Sequence, residues 1–148
     1  MIYIFEQITI LFLLVLWCFI MSRFDLRNLS VPNWPYFAGC ISLLVARLIF
    51  SCESLYLYVI SALALAGLYF LVRLVTRGHL GTGDTYFGFV QGLCLTPKAL
   101  WICVAAEVLA AFFYAIIRFK TIKGIKFAFI PFMSIGLLTA FLIDWFVL

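Results

Sequence analysis

Six carboxylates occur in this chain of 148 residues, Glu6, Asp25, Glu53, Asp84, Glu107 and Asp144, and two of them stand where chemistry is possible. Asp25 closes one apolar run and Asp84 opens another. Two carboxylates brought close together share one proton. The anion then activates water and the neutral acid polarises a carbonyl, which is how aspartic proteases cut peptide bonds. Gly81-Thr82-Gly83 leads into Asp84, and two glycines before an acid permit φ > 0 and the close approach of an extended peptide. Each segment alone also has a plainer account. Gly81 and Gly83 make a turn and Asp84 caps a helix. Asn33 caps a helix with Pro35 in its first turn, and Asp25 pairs with Arg23 or Arg27 in a solvated loop.

The elements that must position these residues are helices in a bilayer. The chain is 68% hydrophobic and 11% charged, against roughly 25% charge in soluble domains, and its mean hydropathy is +1.24. That leaves too little polar surface for a water-exposed domain, and it excludes a disordered chain, a secreted disulfide framework and a nucleic-acid module. Five cysteines, Cys18, Cys40, Cys52, Cys94 and Cys103, form no Cys-x-x-Cys, so they read as small apolar packing residues and no metal or other cofactor is expected. Apolar runs fall at about Ile8–Phe24, Trp34–Phe50, Leu55–Val75, Tyr86–Leu95, Ala99–Ile117 and Phe127–Val147. A spanning helix needs about 20 residues. The fourth run is shorter, and it must be sheltered by its neighbours, extended through Thr96, or met by a locally thinned membrane. The first run has Glu6 before it and no small-residue cleavage site after it, so it reads as a retained helix rather than a signal peptide. The expected fold is all-α, a polytopic membrane protein with about six transmembrane helices in one integral-membrane domain over residues 1–148. With the N-terminus outside, Arg23, Arg27, Arg73, Arg77, Arg118, Lys120, Lys123 and Lys126 all fall on the cytoplasmic side, the bias expected of cytoplasmic loops. Arg47 is then expected to snorkel to the outer headgroups. The basic loops need no nucleic acid to explain them, and anionic lipid is their natural partner.

Taken together, the segments resemble the type IV prepilin peptidase family of intramembrane aspartyl proteases. The shared elements are Asp25 at the end of the first helix, Pro32-Asn33 seven and eight residues later, and Gly81-Thr82-Gly83-Asp84. Ile130-Pro131-Phe132 is similar to the Pro-Phe element that opens the last helix of that family. By position, Asp25 and Asp84 correspond to its two catalytic aspartates, with Gly81, Gly83, Pro32, Asn33, Pro131 and Phe132 binding substrate or shaping the site. The resemblance implies removal of a short basic leader from type IV prepilins or pseudopilins at the cytoplasmic face of a bacterial inner membrane, serving pilus assembly or protein secretion. Two departures stand out. Thr85 and Tyr86 follow the second aspartate where many members have an aliphatic residue and Lys, which bears on substrate range. The cytoplasmic insertion with two Cys-x-x-Cys pairs is absent, which implies a peptidase without N-methyltransferase activity.

Presenilin-type proteases share only the Gly-x-Gly-Asp element and are much longer. A non-catalytic structural or transport protein is the alternative of a different class, and Asn would then be tolerated at positions 25 and 84. Helix-end electrostatics assigns the proton to Asp25, near a helix C-terminus, and the charge to Asp84, near an N-terminus, with Arg23 and Arg27 opposing. Glu107 lies within an apolar run and is either functional or hydrogen-bonded between helices. His79 reads as a solvated loop residue, Glu53 and Asp144 as outer-surface or snorkelling groups, and Glu6 as an N-terminal flank.

Overall fold

The computed structural model describes residues 2–28, 30–77, 81–118 and 128–147. The elements among them are α1 (Ile2–Asn28), α2 (Trp34–Phe50), a single 3₁₀ turn at Cys52–Ser54, α3 (Leu55–Val75), α4 (Thr82–Gly92), α5 (Leu100–Arg118) and α6 (Ile130–Phe146), with no strand among the described residues. Two stretches, Ile4–Asn28 and Cys52–Val75, are long and apolar enough to cross a bilayer by themselves, and α2, α6 and residues Leu100–Tyr114 are shorter apolar helices. Proline marks two of the starts. Pro35 and Pro131 stand in the first turns of α2 and α6, where a missing N–H leaves no bond unmade. The first helix begins six residues earlier than the apolar run suggested, and so takes Glu6 inside.

Large apolar side chains face outward on most helices: Phe12 and Phe19 on α1, Phe37 and Ile49 on α2, Phe70 on α3, Trp101 and Phe113 on α5. The interior, by contrast, holds Glu6, Gln7, Asp25, Arg47, Ser61, Gln91, Glu107 and Ser134. Apolar outside with polar groups inside is the distribution that hydrocarbon imposes, since a polar group facing lipid finds no partner.

Short α4 is sheltered by its neighbours, the first of the three expected solutions. It packs most extensively on α3 and also meets α2 and α6. Gly88 and Gly92, four residues apart on one face, let it approach closely. A Cβ at Gly92 would collide with the Ala62 backbone and stand 2.5 Å from the Ser61 carbonyl oxygen, while one at Gly88 would strike the Tyr69 ring. This is the small-xxx-small arrangement by which membrane helices bring backbones together.

The C-terminal end of α4 explains Arg47. Instead of snorkelling outward, Arg47 is 1% exposed. Its Nη1 donates to Glu6 at 2.8 Å and its Nη2 to the Cys94 carbonyl at 2.9 Å, with Nε also directed at the Leu93 carbonyl. Its guanidinium lies over the Tyr58 ring at 3.6 Å. A buried helix end leaves carbonyls without donors, and a guanidinium there satisfies both the carbonyls and the negative pole of the helix. Glu6 balances its charge and also accepts a hydrogen bond from Ser51, so it is a buried partner rather than an N-terminal flank. Asp144 accepts from Thr96 Oγ1 at 2.7 Å and Thr96 N at 3.2 Å, fixing the turn after α4.

Candidate active site

At the opposite end of the bundle, the C-terminal turns of α1 meet the first turns of α2, α4 and α6. Trp17 on α1 holds three of these helices together. Its Nε1 donates to the Pro35 carbonyl at 2.8 Å, and its ring stacks on Phe87 of α4 at 4.6 Å. Gly39 of α2 admits the indole, since a Cβ there would stand 2.5 Å from Nε1. Ser22 and Ser134 pair across α1 and α6 at 3.1 Å. The main partners of α1 are α6 and α2, so the first and fourth helices are aligned through shared neighbours and the Trp17–Phe87 stack rather than along a continuous interface.

Asp25 is 8% exposed, within the last turn of α1. Its Oδ2 accepts the backbone N–H of Ile130, the first residue of α6, at 3.0 Å. The Ile130-Pro131-Phe132 element therefore meets Asp25 through a helix N-terminus, with Pro131 directly behind the donor. Phe132 packs near Tyr114, ring centroids 5.3 Å apart. The plainer account of Asp25, an ion pair with Arg23 or Arg27, is not what forms: among the described residues the salt bridge is that of Glu6 with Arg47. A carboxylate turned inward to meet a helix end cannot also reach cations on the outer side of its own helix.

Asp84 is half-buried. It is the third residue of α4 rather than its cap, because the helix begins at Thr82 and Gly81 takes the capping position. From there Oδ2 reaches back to accept the Gly81 N–H at 3.0 Å. Both aspartates thus accept a backbone N–H at the start of a helix, which for Asp25 acts against the negative end of α1. The expectation from helix ends took account of α1 but not of α6, whose N-terminus points at Asp25. The two carboxylates lie within electrostatic reach of each other. Among the described residues no hydrogen bond occupies Oδ1 of either.

Asn33 occupies the capping position of α2 but makes no side-chain cap, its backbone being already helical at φ −73° and ψ −25°. It faces instead a cavity of about 240 Å³ between α2 and α4, shared with Tyr36, Phe37, Tyr86 and Phe89. Pro32 is exposed in the connection before it. Gly83 abuts Tyr36: a Cβ there would stand 2.5 Å from the phenol oxygen. Tyr36 is the residue that reading the sequence missed, and its only signal was its place in the first turn after Pro32-Asn33. His79 and the basic segment at 119–127 lie outside the described residues.

Glu107 belongs to a separate network in the middle of the bundle. It accepts from Gln91 Nε2 at 2.6 Å and from Cys103 Sγ at 3.1 Å, and the Tyr69 hydroxyl also donates to it. Gln91 Nε2 donates as well to the Met133 carbonyl at 2.9 Å. Of the two alternatives for Glu107, hydrogen bonding between helices describes these surroundings. Among the described residues no three His, Cys, Asp or Glu side chains gather as a metal site.

A model of the type IV leader peptidase family matches residues 12–118. The match takes in Asp25, Pro32, Asn33, Gly81, Gly83 and Asp84 and stops short of Pro131 and Phe132. No curated protein and no solved structure matches the chain.

Proposed function

The chain belongs to the type IV leader peptidase family, and from that premise we propose that it is an intramembrane aspartic endopeptidase whose dyad is Asp25 and Asp84. Its substrates on this reading are type IV prepilins or pseudopilins. They are cut after a short basic leader at the cytoplasmic face of the bacterial inner membrane, by a single integral-membrane domain with its N-terminus outside. The observation that carries the reading is the matched tethering of the two carboxylates. Each has Oδ2 held by a backbone N–H at a helix start, on α6 and on α4, and Oδ1 unoccupied among the described residues. One atom of each is thereby fixed and the other left for water or substrate.

In the reaction, the ionised carboxylate takes a proton from water as the water oxygen attacks the scissile carbonyl carbon. The protonated partner gives its hydrogen to the carbonyl oxygen, forming a neutral tetrahedral diol. The diol collapses, the C–N bond breaks, and the leaving nitrogen takes a proton from the dyad. Every step uses carboxyl groups and water, so no cofactor is called for. The cysteines offer no paired Cys-x-x-Cys, and the proposal is of cleavage without methyl transfer.

The test is incubation of purified protein with candidate prepilins from the same cell, followed by mass spectrometry of the products. Asp25→Asn and Asp84→Asn should each abolish cleavage while expression and membrane insertion persist, because one side chain must hold the anion and the other the proton. Substantial cutting by either variant, with contaminating peptidases excluded, removes the dyad and returns the chain to the non-catalytic alternative.

A further inference from the structure

The hydrolytic scheme leaves two buried hydroxyls beside the dyad unused, that of Thr85, next to Asp84 in the chain, and the phenol of Tyr36. Tyr36 is 5% exposed, and its hydroxyl has no hydrogen-bond partner among the described residues. A buried hydroxyl left unpaired costs free energy that an apolar ring of the same shape would not. The packing of Tyr36 does not call for the oxygen, since its ring already lies against that of Tyr86, centroids 5.8 Å apart. The oxygen instead occupies the place where residue 83 would carry a side chain. A Cβ on Gly83 would be 2.5 Å from Oη but 3.5 Å from Cζ, so it is the oxygen and not the ring that requires glycine beside Asp84. Both Asp84 and Asp25 lie within electrostatic reach of the phenol, and the cavity between α2 and α4 opens next to it.

We propose that Tyr36 is a catalytic hydrogen-bond donor, giving its O–H to the carbonyl oxygen of the peptide bond that the dyad hydrolyses. The proposal rests on the peptidase reading above. Tyr36 keeps its proton throughout: the hydrogen bond shortens as charge grows on the carbonyl oxygen, and the proton that oxygen receives comes from the dyad. The missing partner of the buried hydroxyl is then the substrate itself, and Gly83 serves to admit the donor next to the reacting carboxylate.

The experiment compares Tyr36→Phe with the wild type and with Asp25→Asn and Asp84→Asn on one prepilin substrate, reading kcat, KM and thermal stability. Loss of a donor to a developing oxyanion lowers kcat by about a hundredfold, with KM close to the wild-type value and Tm unchanged or raised, because the variant no longer buries an unpaired hydroxyl. A merely structural tyrosine gives the reverse, a lower Tm with kcat retained. A second variant checks the geometry: Gly83→Ala should lower Tm in the wild type and much less in the Tyr36→Phe background, where a Cβ meets only Cζ at ordinary contact. Inactive aspartate variants with a Tyr36→Phe enzyme at wild-type kcat, or one changed in KM alone, overturn the proposal and leave the dyad standing. Active aspartate variants overturn the peptidase reading and the proposal together.

Discussion

Gly92→Ala and Gly67→Ala make the same chemical change in two membrane helices and should move stability in opposite directions. In a helix interior, glycine to alanine stabilises by about 0.5–1 kcal/mol, because alanine has less backbone freedom to lose. Nothing lies within 4 Å of a Cβ at Gly67, which should therefore show the whole gain. At Gly92 the added carbon would collide with Cα and N of Ala62 and stand 2.5 Å from the Ser61 carbonyl. Those are backbone atoms of α3 and cannot rotate aside, so α3 and α4 must separate by about 1 Å to reach ordinary contact distance. Overpacking of this kind costs typically 1–3 kcal/mol, and with backbone on both sides the upper half of that range applies. Gly92 is the last residue of α4 and keeps little of that interior gain, so Gly92→Ala is destabilised by roughly 2 kcal/mol and is about 3 kcal/mol less stable than Gly67→Ala. That difference is about two decades in the unfolding equilibrium. Thermal unfolding of both variants in one detergent, followed by tryptophan fluorescence, reads the difference directly. Because α4 carries Asp84, Gly92→Ala should also slow the proposed prepilin cleavage while Gly67→Ala leaves it unchanged. Equal stability of the two variants would refute the close backbone contact of α3 and α4 on which the position of Asp84 depends.

Arg47→Met should destabilise by about 3–5 kcal/mol, because it strands the buried Glu6 carboxylate and the Leu93 and Cys94 carbonyls; adding Glu6→Met should recover much of the loss, and a double variant no more stable than the single one would contradict the pairing. Cys52 is exposed whereas Cys18, Cys94 and Cys103 are buried, so a membrane-impermeant maleimide applied to intact cells should label Cys52 alone of these four; failure to label it until the cells are opened would place the N-terminus inside. Mature substrate made by the pure enzyme with S-adenosylmethionine present should carry no added methyl group, and mass spectrometry finding one on the new N-terminus would locate methyl transfer in this short chain.

Sequence by itself determined the medium, the helices and the two candidate aspartates. Composition forced a bilayer because apolar area of that extent has no other stable surroundings, and proline, glycine and polar clusters set the limits of α2 and α3 to the residue. Asp25 and Asp84 were legible as candidates because they stand at helix boundaries beside Pro32-Asn33 and Gly81-Thr82-Gly83, a combination that resembles the leader peptidase family where either segment alone reads as a cap or a turn. The Gly88 and Gly92 spacing was present in the sequence too, but spacing names no partner helix. What only the tertiary structure decided is which long-range neighbour each polar group meets. Arg47 is apolar-flanked in sequence and looked like a snorkelling side chain, yet the carbonyls that hold it belong to Leu93 and Cys94. Asp25 sits at a helix C-terminus in sequence, while the N–H that binds it belongs to Ile130, 105 residues away. Tyr36 reads as one more aromatic among many until Gly83 is seen against its oxygen. For Arg47 and Asp25 the physical reason is the same. Burial of a polar group is decided by the partner that satisfies it, and in a helical bundle that partner lies on another helix, where local periodicity carries no information about it.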